Sequence, residues 1–427
     1  MKRIVVLGAA AGMALTVMAV AAEPARDVAF YFKQGMEAYQ RKDYEASRES
    51  FARALELSPG HLRIVYNLAA ASALAGKTDD ALGLLERIAS MKLWYDLEAD
   101  GDFASLKDKP RFLAVVQSMA STRKPAGGGE VAFRLGAADF IPEGIAHDPQ
   151  TGDFFVGSVR QRAISRVSAR GEEAPFVTQG RDGIWSVLGL AVDAPRRTLW
   201  ACSTALPNMM GSAAKEPSRG AVFAFDLKDG SLRARQDVAG GAEGHECNDL
   251  TVSSAGDVYL SDSRKGSIVK IAAGRTPEVF LPEGTLGSPQ GLALAPDGAR
   301  LYVADYARGI HRVDLPSRTV TLLGVPDDVT TRGVDGLIFK DGALLAIQNG
   351  VNPHRVTRFV LDPDGSRIVR QEILGMSHPL YDEPTLGVLA GGALHYIANS
   401  QWGKFSQDGT SLPSEGLVPP AILRLPL

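Results

Sequence analysis

One short motif returns six times between residues 143 and 388, and it constrains the fold of this 427-residue chain more than any other feature. Each copy is one variable residue, then Gly (Asp once), then an apolar residue, a turn, and a second apolar run. The copies begin at Glu143, Leu188, Asn248, Gln290, Asp335 and Leu386, in steps of 45, 60, 42, 45 and 51 residues. A period of roughly 40–50 residues made only of strands is the signature of a β-propeller. Each motif then opens the innermost strand of one blade, and its first residue stands at the mouth of the central channel. Strand alternation supports the reading at Asp153–Gly157, Leu199–Cys202, Val258–Ser261, Leu301–Ala304 and Leu394–Ala398. The sixth blade is one strand short. Val131–Leu135 precedes the first motif without a blade of its own, so it is expected to close the ring as the outer strand of blade six, removing an exposed edge. Blade two carries an insertion at Ala205–Arg219, of a length expected for a surface loop or lid.

Before the propeller the chain reads as helices over residues 28–95. Two units of 34 residues align, and Gly35, Phe51, Ala54 and Pro59 fit the tetratricopeptide pattern. In the second unit Ala69 matches Gly35 and Leu85 matches Phe51, while Ser47 stands where the pattern expects Ala. Leu97–Met119 reads as a terminal cap. The expected organisation is a signal peptide at 1–21, a tetratricopeptide-like helical domain at 24–121, a Pro/Gly-rich linker at 122–129 and a six-bladed β-propeller at 130–427. The helical repeats offer either a fold-stabilising spacer or a docking surface for a protein partner.

The first 21 residues carry Lys2 and Arg3, an apolar stretch from Ile4 to Val20, and the small-residue pattern Ala19-Val20-Ala21. Cleavage there removes two positive charges and no acids, changing the net charge from −3 to −5. The mature protein is therefore expected to be periplasmic or secreted, with no membrane attachment. An acidic balance gives no case for nucleic acid. Cys202 and Cys247 fall at the same end of adjacent blades, and export permits a disulfide between them.

The six motif positions form a ring in which Glu143, Asn248, Gln290 and Asp335 bring two carboxylates and two amides together, and Leu188 and Leu386 fill the other places. Hard divalent cations take such oxygen donors, whereas no His/Cys cluster suggests a structural zinc site. Without a cation Glu143 and Asp335 would repel. Around the mouth, Trp185, His245, Asn352 and Asn399 are candidate substrate contacts and His354 a candidate proton carrier. Asp262, Asp305, Asn349 and Trp402 are expected at the same end.

Pro142-Glu143-Gly144, Asn248-Asp249, Pro289-Gln290-Gly291 with Pro296-Asp297-Gly298, Leu301–Asp305 and Val334-Asp335-Gly336 together resemble the gluconolactonase, regucalcin and luciferin-regenerating-enzyme family. The resemblance spans about residues 130–427. It implies a six-bladed propeller that binds a divalent cation, Ca²⁺ ahead of Zn²⁺, Mn²⁺ or Mg²⁺, through Glu143, Asn248, Gln290 and Asp335. It also implies hydrolysis of a small-molecule lactone or ester, with Asp335 as ligand and general base. Gln290 occupies a place usually held by Asn. Glu246 stands where sugar-lactone members often carry Arg, which counts against an aldonolactone substrate. The rival reading is a non-catalytic propeller that binds a ligand or protein.

Overall fold

The computed structural model describes residues 27–427 apart from 213–216, 407 and 414. The expected signal peptide, the start of the helical domain and part of the blade-two insertion lie outside the described residues. Among the described residues no helix is long and apolar enough to cross a membrane.

Four helices form two hairpins: α1 (Val28–Gln40), α2 (Tyr44–Leu57), α3 (Leu62–Leu74) and α4 (Thr78–Ser90). Asp27 and Asp43 cap α1 and α2, accepting from the backbone N–H groups of Phe30 and Ala46. The first hairpin closes because Gly35 has no side chain. A Cβ there would stand 2.6 Å from the Phe51 ring. Ser47, the departure from the repeat pattern, is buried with its hydroxyl donating to the Gly35 carbonyl at 2.9 Å. The expected cap is a 3₁₀ turn (Gly101–Leu106) followed by α5 (Pro110–Ser121), whose Phe112, Val115 and Met119 complete the second hairpin's core.

The remaining strands form six sheets, each of four antiparallel strands except blade five, which has five. The strand Glu130–Arg134 pairs with Ala421–Pro426 at the outer edge of blade six, so the first and last strands of the propeller close the ring as expected. A second seal lies inside, where Thr385 donates to the Glu143 carbonyl at 3.0 Å. Cys202 and Cys247 are joined by a disulfide that links blade two to the entry of blade three. The Pro/Gly-rich connection between the modules is not slack. Ala126 and Gly127 pair with Met376 and Gly375 as the fifth strand of blade five.

The helical module is seated on the propeller. Arg332 donates to the Gly60 carbonyl at 2.7 Å and to the Ser58 hydroxyl at 2.9 Å. The fully buried Arg355 donates to the Met91 carbonyl and to Gln348 Oε1, both at 2.8 Å. Trp94 N–H donates to the Asn352 carbonyl at 2.8 Å, and Val351 packs into the helical core. The loop after the second strand of blade five is thus held by the helices.

Candidate functional site at the channel mouth

The repeated residue-Gly pair produces the site through a local defect in each inner strand. In blades one, two, four and five the inner strand carries a register shift at this pair, between Pro142 and Ile145, Val187 and Leu190, Pro289 and Leu292, and Val334 and Leu337. Such a bulge bends the strand and re-aims a side chain. The Gly of the pair permits close approach to the next blade. A Cβ at Gly291 would stand 2.6 Å from the Leu337 nitrogen, and one at Gly336 would stand 2.7 Å from the Thr385 carbonyl oxygen. Blade three has Asp249 instead. Its buried carboxylate accepts from the Leu292 N–H of the next blade at 3.1 Å. Burial pushes this carboxyl up to about 7, opposed by the Leu250 and Leu292 N–H groups.

The four polar ring residues line one cavity of about 550 Å³ at the mouth. Glu143 and Asp335 are buried, at 6% and 7% exposure. Trp402 Nε1–H donates to Glu143 Oε2 at 2.6 Å, and Asn349 Nδ2–H donates to Asp335 Oδ2 at 2.7 Å. The Tyr306 hydroxyl donates to Asn349 Oδ1 at 3.0 Å. Asn248 Nδ2–H donates to Gln290 Oε1, and Gln290 Nε2–H to the Ser288 hydroxyl at 3.1 Å. Glu143 Oε1, Asp335 Oδ1 and Asn248 Oδ1 take no hydrogen bond among the described residues.

The electrostatics are one-sided. Burial pushes the Glu143 carboxyl well above the usual range. The Asp335, Glu383 and Asp249 charges add to this and only the Trp402 hydrogen bond opposes it. Burial likewise pushes Asp335 up to about 7, with Glu383 adding to the effect against the Asn349 hydrogen bond. Glu383 is itself raised by burial and by Asp382, although the Gly403 N–H donates to it at 2.6 Å. No cationic side chain contributes to any of these three shifts. Among the described residues no group of three or more His, Cys, Asp or Glu side chains is placed to share a metal ion, so a cation here would need the amide oxygens as well as the carboxylates.

The structure places Glu143, Asn248, Gln290 and Asp335 together, with Trp402 and Asn349 beside them. The other candidates do not line this cavity. His245 Nδ1 pairs with Asp262 at 2.7 Å, in the connection entering blade three. Trp185 lies under the Arg235 guanidinium, 4.8 Å from its ring centre. Asn399 Oδ1 accepts from the Ala421 N–H at 2.7 Å, an internal bond of blade six. Asn352 faces the helical module through its carbonyl, and the His354 carbonyl accepts from the Ser377 N–H at 3.2 Å. Asp262 and Asp305 accept backbone N–H bonds in turns. Sequence reasoning missed Tyr306 and Glu383 at the cavity, and also Ser263, Arg264 and Ser288. Glu383 precedes the sixth motif by three residues, and the signal for it is the acidic pair Asp382-Glu383 just before Pro384.

Residues 38–92 match the tetratricopeptide repeat family model. The match covers the end of α1 and all of α2, α3 and α4. No curated protein sequence matches the chain. Several solved structures are similar to this chain at low identity. A calcium-binding protein, regucalcin, from Agrobacterium tumefaciens is 15% identical, with 70% of this chain and 96% of that one covered and a TM-score of 0.48. A gluconolactonase from Xanthomonas campestris is 17% identical, with 71% and 99% covered and a TM-score of 0.47. Virginiamycin B lyase from Staphylococcus aureus is 15% identical, with 69% and 87% covered and a TM-score of 0.45. Likeness at these identities concerns the fold alone.

Proposed function

We propose that the chain is an exported, divalent-cation-dependent hydrolase of a small lactone or ester, acting at the channel mouth. One observation carries this reading: Glu143, Asp335 and Glu383 converge on an open cavity whose cationic side chain, Arg264, is paired with Glu246 and does not offset them. Protonation or a bound cation are the two ways to relieve such repulsion. The unengaged oxygens of Glu143, Asp335 and Asn248 suit a hard cation such as Ca²⁺, and Gln290 stands beside them with its oxygen already committed to Asn248. A cation held there would polarise an ester carbonyl as a Lewis acid.

The chain's own residues supply the rest. Asn349, fixed by Tyr306 and by its bond to Asp335, holds that carboxylate in one orientation. Asp335 accepts a proton from the attacking water as the acyl–oxygen bond breaks, and the released alkoxide takes up a proton to give the hydroxy acid. Trp402 orients Glu143 and tempers its repulsion with Asp335. Leu188 and Leu206 give the cavity an apolar wall on the blade-two side. His354 has no step in this scheme.

Export is supported by the signal-like N-terminus and by the Cys202–Cys247 disulfide, which persists in oxidising compartments. The rival, a non-catalytic binding propeller, draws on the tetratricopeptide match, because such repeats form binding surfaces.

The deciding experiment is hydrolysis of a panel of sugar, aliphatic and aromatic lactones by the chelated protein, followed by single additions of Ca²⁺, Mn²⁺, Mg²⁺ or Zn²⁺. Activity lost on chelation and restored by one metal supports the hydrolase. Folded, metal-loaded protein that hydrolyses nothing would favour the binding propeller.

A further inference from the structure

A second cavity, of about 480 Å³, opens where the helical module meets blade four and the connection to blade five. One side of it is apolar, built from Leu57 at the end of α2 and from Leu322, Val325 and Val329 of the propeller. Leu57, Leu322 and Val325 are 52%, 51% and 37% exposed, so three large apolar side chains border one opening with no partner covering them among the described residues.

The charged groups of the cavity are all basic. Arg308, Arg332 and His311 line it, and among the described residues no Asp or Glu does. Among the described residues neither guanidinium forms an ion pair. Arg308 donates to the Thr285 carbonyl at 3.3 Å, and Arg332 spends its Nε and Nη2 on Gly60 and Ser58. The carboxylate acting on Arg332 and His311 is Asp305. It is fully buried and already accepts from the backbone N–H groups of Gly287, Ser288, Ala307 and Arg308. His311 is only 8% exposed and its Nδ1 has no hydrogen-bond partner among the described residues. Buried polar atoms left unpaired call for a partner.

We propose that this cavity binds a small amphiphilic carboxylate, with its apolar chain against Leu57, Leu322 and Val325 and its head received by Arg308, Arg332 and the His311 ring. Guanidinium groups match a carboxylate in shape as well as charge, and the volume lies in the range of small-molecule pockets. The site shares no residue with the channel mouth, so the inference stands apart from the hydrolase reading.

The test is calorimetric titration of the full mature protein with hexanoate, octanoate and decanoate, and with octanol as the uncharged control. Affinity should rise about fourfold per methylene, and octanol should bind at least about tenfold more weakly than octanoate. Arg308→Gln should weaken octanoate about tenfold, and Val325→Glu should weaken it further, both with unchanged thermal melting; either variant suffices if the other disturbs the fold. Three results would overturn the proposal: no binding of any acid at millimolar concentration, octanol binding as tightly as octanoate, or octanoate affinity unchanged in a folded variant.

Discussion

The two ends of the propeller channel are built from the same six inner strands and carry opposite chemistry. At one end Glu143, Asn248, Gln290 and Asp335 face a cavity of about 550 Å³. At the other, Ile145, Leu190, Leu250, Leu292, Leu337 and Val388 line one of about 350 Å³. Each of these apolar residues follows its ring residue by only two positions. In blades one, two, four and five the bulge at the residue-Gly pair lies between them, so the ring side chain is re-aimed while the strand continues into ordinary packing. The apolar side chains at that end behave as a core, where burial stabilises, and the buried Asp249 carboxylate among them is held by the Leu292 N–H. At the polar end burial opposes ionisation, and the structure provides hydrogen bonds from Trp402 and Asn349, while Arg264 at the same cavity is spent on Glu246. The contrast shows where this fold keeps unrelieved charge.

The largest effect that would break this comparison is chemical. Asp335→Asn keeps the shape and removes the proton acceptor, so hydrolysis should fall by about 10²- to 10⁴-fold while circular dichroism and melting stay close to wild type. Full activity in that variant would remove Asp335 from the mechanism. The matching change at the apolar end is Leu292→Ala. It should cost about 2–5 kcal/mol in denaturant unfolding and leave turnover per folded molecule unaltered; a stability loss below this range would show that the end is not packed as a core.

A pH titration sharpens the contrast next. In the cation-free protein Asp335 is raised from its ordinary 3.8 to about 7. Between those values the unfolded chain has released this proton and the folded one retains it, so the unfolded state gains. Below the window both states are protonated and the penalty is absent. Melting temperature of the chelated protein should therefore fall as pH rises across the window, then level off. Added Ca²⁺ should raise melting more at the upper end than at the lower. A flat profile with chelator present would mean that the ring charges are relieved in another way. The smallest effect is Trp402→Phe, which deletes the donor to Glu143. Cation affinity, measured by calorimetry, should weaken by about tenfold, with unfolding little changed; affinity equal to wild type would limit Trp402 to packing.

Much of the architecture was legible because it rests on local, repeated chemistry. The ring residues share a place in a motif whose Gly is required by close approach of neighbouring strands, so Glu143, Asn248, Gln290 and Asp335 could be aligned from spacing. The closing strand was visible as an unpaired segment, and Gly35 with Phe51 marked the helical hairpin. The loops were harder to read. His354, Asn352, His245 and Asn399 follow or precede strands at the expected end, yet their side chains or carbonyls are committed to Ser377, the helical module, Asp262 and blade six respectively rather than to the cavity. Trp185 is committed to Arg235. Loop residues have no period, and position along the chain does not determine where a side chain points.

What the sequence determined by itself is the number of blades, the ring at the channel mouth and the helical repeats, because strand and helix periods are written in the spacing of apolar residues and glycines. Tertiary structure alone decided the bulges that aim the ring, the arrival of Glu383 and Tyr306 beside it, and the seating of the helices on the loop that carries Asn349. Those features depend on which distant surfaces meet, and only the packed chain brings residues such as Val351 and Met91, or Trp402 and Glu143, within reach of one another.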